Sequence, residues 1–505
     1  MADGGYDVAD YRDIDPVFGT LTEAEALIAA AHAQQLRVII DIVPNHCSDQ
    51  HPWFRAAVAA RPGSAERTRF WFRPGRGESG ELPPNDWQSN FGGPAWTRIT
   101  EPDGSPGEWY LHLFAPEQPD FNWDNPAVRA EFEDILRFWL DRGVDGFRID
   151  VADTLVKDPA LPDVASLAPG ARRPWADQDG LHDIYRSWRG LIDSYPGDRV
   201  FVGELWMKPL PQMRPYLLGD QLHTAFNFDF LGAPWEAARL REVIDGTLQA
   251  IGAAAPWVLS NHDVTRHLTR YGRASTSTRW QPDAPPADLE LGTRRARAAI
   301  LLMLALPGGC YLYQGEELGL WEVEDIPDEL IADPIFERTG HALRGRDGCR
   351  VPLPWRADAP GFGFGRPDGA APWLPQPPEW RKLAADSEAA DDGSMLALYQ
   401  AALRLRSART AAASTAAAST AAASTAAART RSGDDTLAWL AAPSGVLAFS
   451  RPGGLSAIVN LSAEPVALPP HDELLLASGP LDGDLLPPDT AVWLRAGQLR
   501  TARSA

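Results

Sequence analysis

Four apolar runs end in polar residues, and this repetition restricts the fold more than any other feature of the chain. Arg37–Val43 leads into Pro44, Asn45 and His46, and Gly143–Val151 carries Arg148 and Asp150. Val200–Trp206 carries Glu204, and Trp257–Asp263 ends in Asn261, His262 and Asp263. A strand apolar along its length is buried on both faces, as in parallel sheets. Helical patterns lie between the runs, and such β–α alternation points to a parallel α/β barrel. Barrels of this kind build their sites from polar residues at the C-terminal ends of their strands.

The run GVDGFRIDV is the most informative. Arg148 and Asp150 interrupt an apolar strand, and two residues apart they point to the same side. Charged groups enter such a strand with a partner or a task. A guanidinium beside a carboxylate keeps it ionised, which makes Asp150 either a nucleophile or half of a structural ion pair.

The 505 residues suffice for one large domain and one or two smaller ones. The net charge of −21 speaks against nucleic acid or an anionic membrane as partner. The N-terminus shows neither a basic n-region nor an apolar core, so a cytoplasmic protein is expected. Cys47, Cys310 and Cys349 are far apart and indicate neither disulfides nor a zinc site. The 19 Trp invite a sugar-stacking reading, but for each one a core position is the better expectation.

In chain order, residues 21–36 read as a helix, with Thr22 as cap and Leu27, Ile28 and Ala31 on one face. Residues 48–123 are rich in Pro, Gly and Trp and far too long for a βα loop, so an inserted subdomain is expected. Helices are expected at 127–140, 296–306 and 394–405, and strands at 225–230 and 309–313. Residues 406–433 read as an Ala/Ser/Thr linker in which AAAST recurs. Short alternating runs from residue 434 to 505 predict an antiparallel β domain, a β-sandwich. Residues 1–47 and 124–405 then form the barrel.

Asp41, Asn45, His46, Arg148, Asp150, Glu204, His262 and Asp263 would share one end of that barrel. Carboxylates repel one another unless a cation or a substrate uses them. A metal site is one reading, though Arg148 would repel the cation. The other is carboxylate acid–base chemistry: Asp150 held ionised by Arg148, and Glu204 held protonated by the apolar neighbours Leu205 and Trp206.

The motifs DIVPNH (41–46), GFRIDV (146–151), GELW (203–206) and SNHD (260–263) together resemble the α-amylase superfamily of glycoside hydrolases (family 13), in its α-glucosidase and oligo-1,6-glucosidase branch. GYDVADY (5–11), LHLFAPEQPDFNW (111–123), YQGEELG (313–319) and RDGCRVPLPW (346–355) agree with it. The resemblance implies Asp150 as nucleophile, Glu204 as acid/base and Asp263 as transition-state stabiliser. It implies Asp3, Tyr6, His46, Arg148, His262 and Arg350 as substrate-binding residues. The implied activity is retaining, exo-acting cleavage of terminal α-glucosides in short oligosaccharides of the maltose or isomaltose type, through a covalent glucosyl-enzyme. It implies no cofactor and no catalytic metal: the loop that holds calcium in some relatives is absent. Val151 after the nucleophile tends to accompany α-1,6 cleavage in relatives.

Six strands are readable where a barrel of this type has eight. The resemblance places GYDVADY after the second strand, so the expected fold is an α/β, (β/α)8 TIM-type barrel lacking its first two strands. About one βαβ unit, ~30 residues, would be missing. Open parallel edges would then lower stability and activity. A transglucosylase or trehalose synthase is the alternative of the same fold. A non-catalytic relative is the alternative of another class. His32, His51 and His112 have no motif around them and read as structural.

Overall fold

In the computed structural model the apolar run after Arg37 forms the strand Ile39–Ile42 (β1). The structure describes residues 2–206, 210–217, 219–252, 255–366, 368–420 and 436–496. The chain divides into two units, residues 1–226 with 332–343, and residues 227–331 with 344–505.

In the first unit β1 is followed by three short strands, Phe72–Arg73 (β2), Trp96–Thr100 (β3) and Pro106–Leu111 (β4), which form an antiparallel sheet in the order β2-β4-β3. Three tryptophans of this segment are core, and Trp109 of β4 packs half-buried against them. Trp71, Trp87 and Trp96 are buried together with Leu111 and Leu113. Their indole N–H groups are satisfied: Trp71 by the Phe121 carbonyl, Trp87 by the Pro162 carbonyl and Trp96 by Asn85 Oδ1.

Gly146–Ile149 (β5), Val200–Gly203 (β6) and Thr224–Ala225 (β7) join β1 in a parallel sheet ordered β1-β5-β6-β7. The register places Ile42 beside Ile149 and Ile149 beside Gly203. The ladder continues one residue further, with Asp150 N–H on the Ile42 carbonyl (2.9 Å) and Glu204 N–H on the Ile149 carbonyl (3.0 Å). Asp150 and Glu204 therefore leave adjacent strands at the same level. Gly146 is required where β5 meets β6, because a Cβ there would lie 2.2 Å from the Val200 carbonyl oxygen. Phe147, Ile149, Phe201 and Leu205 are buried, and the helices Pro126–Leu140 and Gly180–Ile192 contribute Phe132, Leu136 and Trp188 to the same core.

Two local expectations are corrected. The first helix is Leu21–Ala33, capped by Thr20 and not Thr22, because Thr20 and Glu23 form a reciprocal capping box. Its buried apolar residue is Ile28, while Leu27 is 69% exposed. The strand expected at 225–230 stops at Ala225. Asn227 accepts from the Phe230 N–H and starts the short helix Phe228–Leu231 instead.

In the second unit Pro256–Val258 (β8) and Gly309–Tyr311 (β9) pair in parallel, joined through the helix Leu289–Ala305. This helix starts earlier than the apolar run suggested, at the cap Asp288, and buries Ile300 to Ala305. The helix Met395–Thr420 runs on from the expected helix into the AAAST repeats, and the rest of the repeats lie outside the described residues. The C-terminal strands are Ala438–Trp439 (β10), Val446–Arg451 (β11), Leu455–Asn460 (β12), Val466–Ala467 (β13), His471–Ala477 (β14), Leu485–Leu486 (β15) and Thr490–Ala496 (β16). They form a five-stranded antiparallel sheet, β10-β11-β12-β16-β14, and the pair β13-β15.

Candidate active site

In the first unit one guanidinium gathers three carboxylates. Arg148 Nη1 donates to Asp150 Oδ1 at 2.6 Å and to both Asp41 oxygens at 3.0 Å. Its Nη2 donates to Glu204 Oε2 at 2.6 Å. Asp41 comes from β1, which pairs directly with β5 at Arg148. Tyr6 hydroxyl donates to Asp41 Oδ2 at 2.9 Å, and Arg148 lies 5.6 Å from the Tyr6 ring centroid.

The environment of Asp150 corrects the electrostatic expectation. Burial pushes the Asp150 carboxyl well above the usual carboxylate range; Arg148 opposes this, and Glu204 and Asp41 add to it. One positive charge shared among three carboxylates is not enough to hold Asp150 low. Glu204 accepts from three donors: Arg148 Nη2, the Val151 N–H at 3.0 Å and the Trp206 indole N–H at 2.8 Å. Val151 reaches Glu204 through a strained backbone, with φ at +36°, rare for a β-branched residue.

His46 is buried behind this group. Thr154 and Lys157 donate to Asn45 Oδ1, so Asn45 Nδ2 donates to His46 Nδ1 at 3.1 Å. His46 Nε2 lies 3.1 Å from both the Tyr6 carbonyl and Gln118 Nε2. Burial lowers His46 to about 4, so the ring is neutral at physiological pH. Lys157 also pairs with Asp120 at 2.8 Å, both side chains fully buried. Asp3 is 4% exposed and accepts from Gln118 Nε2 at 3.1 Å. Asp3, Tyr6, His46, Arg148, Asp150 and Glu204 thus form one network through Asp41 and Gln118. Asp41 belongs to the strand-end cluster expected from the sequence but had no role there, and Gln118 stood unmarked in LHLFAPEQPDFNW.

The remaining predicted residues gather in the second unit, just after β8. Asp263 Oδ1 accepts from Arg350 Nη2 and Arg346 Nη1, each at 3.1 Å. Arg350 Nε donates to the His262 carbonyl at 2.9 Å, and His262 Nε2 lies 3.4 Å from Asp263 Oδ2. Arg346 is the addition here; it opens the RDGCRVPLPW motif.

His32, His51 and His112 have structural contacts. His32 bonds Asp145, His51 caps the helix Pro52–Ala59, and His112 bridges Thr97 and the Phe114 carbonyl. Among the described residues no group of three or more His, Cys, Asp or Glu side chains is arranged to hold a metal ion, and no helix is long and apolar enough to cross a membrane.

The model of the α-amylase catalytic domain matches residues 1–414. The chain is 35% identical over 432 residues to a probable α-glucosidase of Rhizobium meliloti (strain 1021), covering 81% of this chain and 73% of that protein. It is 33% identical over 445 residues to a trehalose-6-phosphate hydrolase of Escherichia coli (strain K12), covering 80% and 74%. Among solved structures, that of an α-glucosyl transfer enzyme is similar with a TM-score of 0.76 at 31% identity, covering 97% of this chain and 88% of the other.

Proposed function

Because this chain belongs to the α-amylase family of glycoside hydrolases, we propose that it is a retaining, exo-acting α-glucosidase of short oligosaccharides. Its fold is the family's TIM barrel with a C-terminal antiparallel β-sheet domain. In this reading Asp150 attacks the anomeric carbon. Glu204 protonates the leaving oxygen and then takes a proton from water. Asp263 stabilises the oxocarbenium-like charge. Asp3, Tyr6, His46, Arg148, His262 and Arg350 bind the terminal glucose, and no cofactor takes part.

The observation that carries the reading is Arg148, which binds Asp150 and Glu204 with separate nitrogens at 2.6 Å each. Two carboxyls spanned by one guanidinium support the short separation of a retaining pair, about 5–5.5 Å. Gln118, from the segment 48–123 read as an inserted subdomain, supports the exo reading, since it reaches Asp3 and His46. NMR of the glucose first released from p-nitrophenyl α-glucoside, whose leaving group is not a sugar, tests the reading. α-Glucose is expected, and Asp150→Ala abolishes its release. β-Glucose as the first product would overturn the retaining assignment.

A transglucosylase is the second reading, favoured by the likeness to the α-glucosyl transfer enzyme. The roles of Asp150, Glu204 and Asp263 are the same, with a sugar hydroxyl replacing water. Product analysis with maltose and sucrose separates the two.

A further inference from the structure

Arg346 and Arg350, which both bond Asp263 Oδ1, flank one short helical turn, Asp347–Cys349. Arg350 also donates Nε to the His262 carbonyl at 2.9 Å, so the turn grips the loop after β8 at two successive residues. Where the turn lies therefore sets where the Asp263 carboxylate is held. The bonds inside the turn, from the Cys349 N–H to the Arg346 carbonyl and from the Arg350 N–H to the Asp347 carbonyl, shape it without fixing its place in the second unit.

Arg266 fixes that place. It lies on the same loop as Asp263 and is 2% exposed. Its Nη2 donates to the Cys349 carbonyl at 2.8 Å and its Nη1 to the Gln314 carbonyl at 2.9 Å. Its backbone N–H donates to Glu322 Oε2 at 2.9 Å. The Tyr313 hydroxyl donates to the same Cys349 carbonyl at 2.9 Å, and the Tyr313 ring centroid lies 4.7 Å from the Arg266 guanidinium carbon. A carbonyl oxygen has two lone pairs, so both of those on Cys349 are engaged. The packing leaves little play. A Cβ on Gly348 would lie 2.5 Å from the Val323 carbonyl oxygen and 2.6 Å from Glu322 Oε1. The turn thus rests on the same carboxyl that receives the Arg266 N–H. Two carbonyls at a fixed separation call for the planar fork of an arginine; an ammonium is a point charge.

We propose that Arg266 is a positioning residue for the reaction: by clamping the Cys349 carbonyl it holds Arg346 and Arg350 where they set the Asp263 carboxylate. The inference rests on the reading of Asp263 as transition-state stabiliser. Arg266 acts through the turn, and its fork is engaged by main-chain carbonyls. Positive charge builds up on the sugar ring only on the way to the transition state. A displaced Asp263 carboxylate therefore weakens the transition state more than it weakens bound substrate.

The test is the kinetics of Arg266→Met and Arg266→Lys on p-nitrophenyl α-glucoside. Arg266→Met is expected to lower kcat by about 100-fold, the loss typical of a misplaced group, with little change in KM. Arg266→Lys, which reaches one carbonyl, recovers part of the loss. Inhibition by deoxynojirimycin, a glucose-shaped amine that carries positive charge, weakens in Arg266→Met by about the factor lost in kcat/KM, while inhibition by glucose is unchanged. In an Asp263→Asn background, followed with α-glucosyl fluoride, Arg266→Met costs little more, because the group it positions is gone. A glucose affinity that falls as far as that of the amine, or an equal fold loss with and without Asp263, overturns the proposal, since either marks general damage to the fold. Should Arg266→Met fail to fold, Tyr313→Phe, which deletes the other donor to the Cys349 carbonyl, and Arg266→Lys decide by the same readouts. Asp263→Asn separates the two levels. Wild-type kcat in that variant removes the reading of Asp263 and the inference with it. An inactive Asp263→Asn beside wild-type kcat in Arg266→Met removes the inference alone.

Discussion

Arg148 donates Nη2 to Glu204 Oε2 at 2.6 Å, tying together the ends of the adjacent parallel strands β5 and β6. The other nitrogen of the fork holds Asp150 and Asp41. A lysine ammonium is a point charge without that fork. Arg148→Lys is expected to lower kcat on maltose by about 100-fold or more, the loss typical of misplaced catalytic groups. Initial rates at saturating substrate check this.

The raised Asp150 carboxyl has a kinetic consequence. A nucleophile must be ionised, so activity falls as pH drops through its titration. With burial raising Asp150, the acid limb of kcat/KM is expected above the ordinary Asp value of about 3.9. A limb at or below that value would contradict the assignment of Asp150 as the titrating nucleophile.

His46 is expected to stay neutral through most of the acid range. Burial lowers it to about 4, so its ring carbon-bound proton signals should not titrate between pH 8 and about 5.5, where an ordinary His with a pKa of about 6.5 does. NMR of the folded protein checks this.

Lys157 and Asp120 form a pair with no side-chain exposure. Removing one partner leaves an uncompensated buried charge, at a cost of about 3–5 kcal/mol. Lys157→Met should therefore lower the urea midpoint strongly, and Lys157→Met with Asp120→Asn should recover part of the loss.

Glu316 predicts a pH dependence of stability. Burial pushes its carboxyl up to about 8, above the unfolded value of about 4.3. Between these values the folded state keeps a proton that the unfolded state has released. Its contribution is complete below the unfolded pKa and is lost as pH rises towards about 8. Glu316→Gln should flatten the fall in unfolding free energy between pH 5 and 8, and denaturant unfolding at the two pH values measures it. Glu322, also pushed up to about 8 by burial, would leave a residual slope.

The strand ends were legible because parallel strands buried on both faces tolerate polar residues only at functional or paired positions. Asp150, Glu204 and Asp263 stood out against apolar runs, and Asn125-Pro126 announced its helix as reliably as any local signal does. Local pattern misjudged Thr22, Leu27 and residues 226–230. There the outcome turned on a specific side-chain bond, from Glu23 or Asn227, or on which side of a helix met neighbours.

Sequence by itself determined the α/β alternation, the C-terminal antiparallel sheet and the identity of the carboxylates, since these depend on periodicity and on charge placed in apolar runs. Tertiary structure alone decided how those carboxylates are held. That Arg148 serves three of them, that Glu204 rests among donors, and that Gln118 reaches Asp3 across 115 residues are consequences of strand register and chain crossing. Hydrogen bonds and desolvation act through distance in space, and spacing along the chain does not contain that distance.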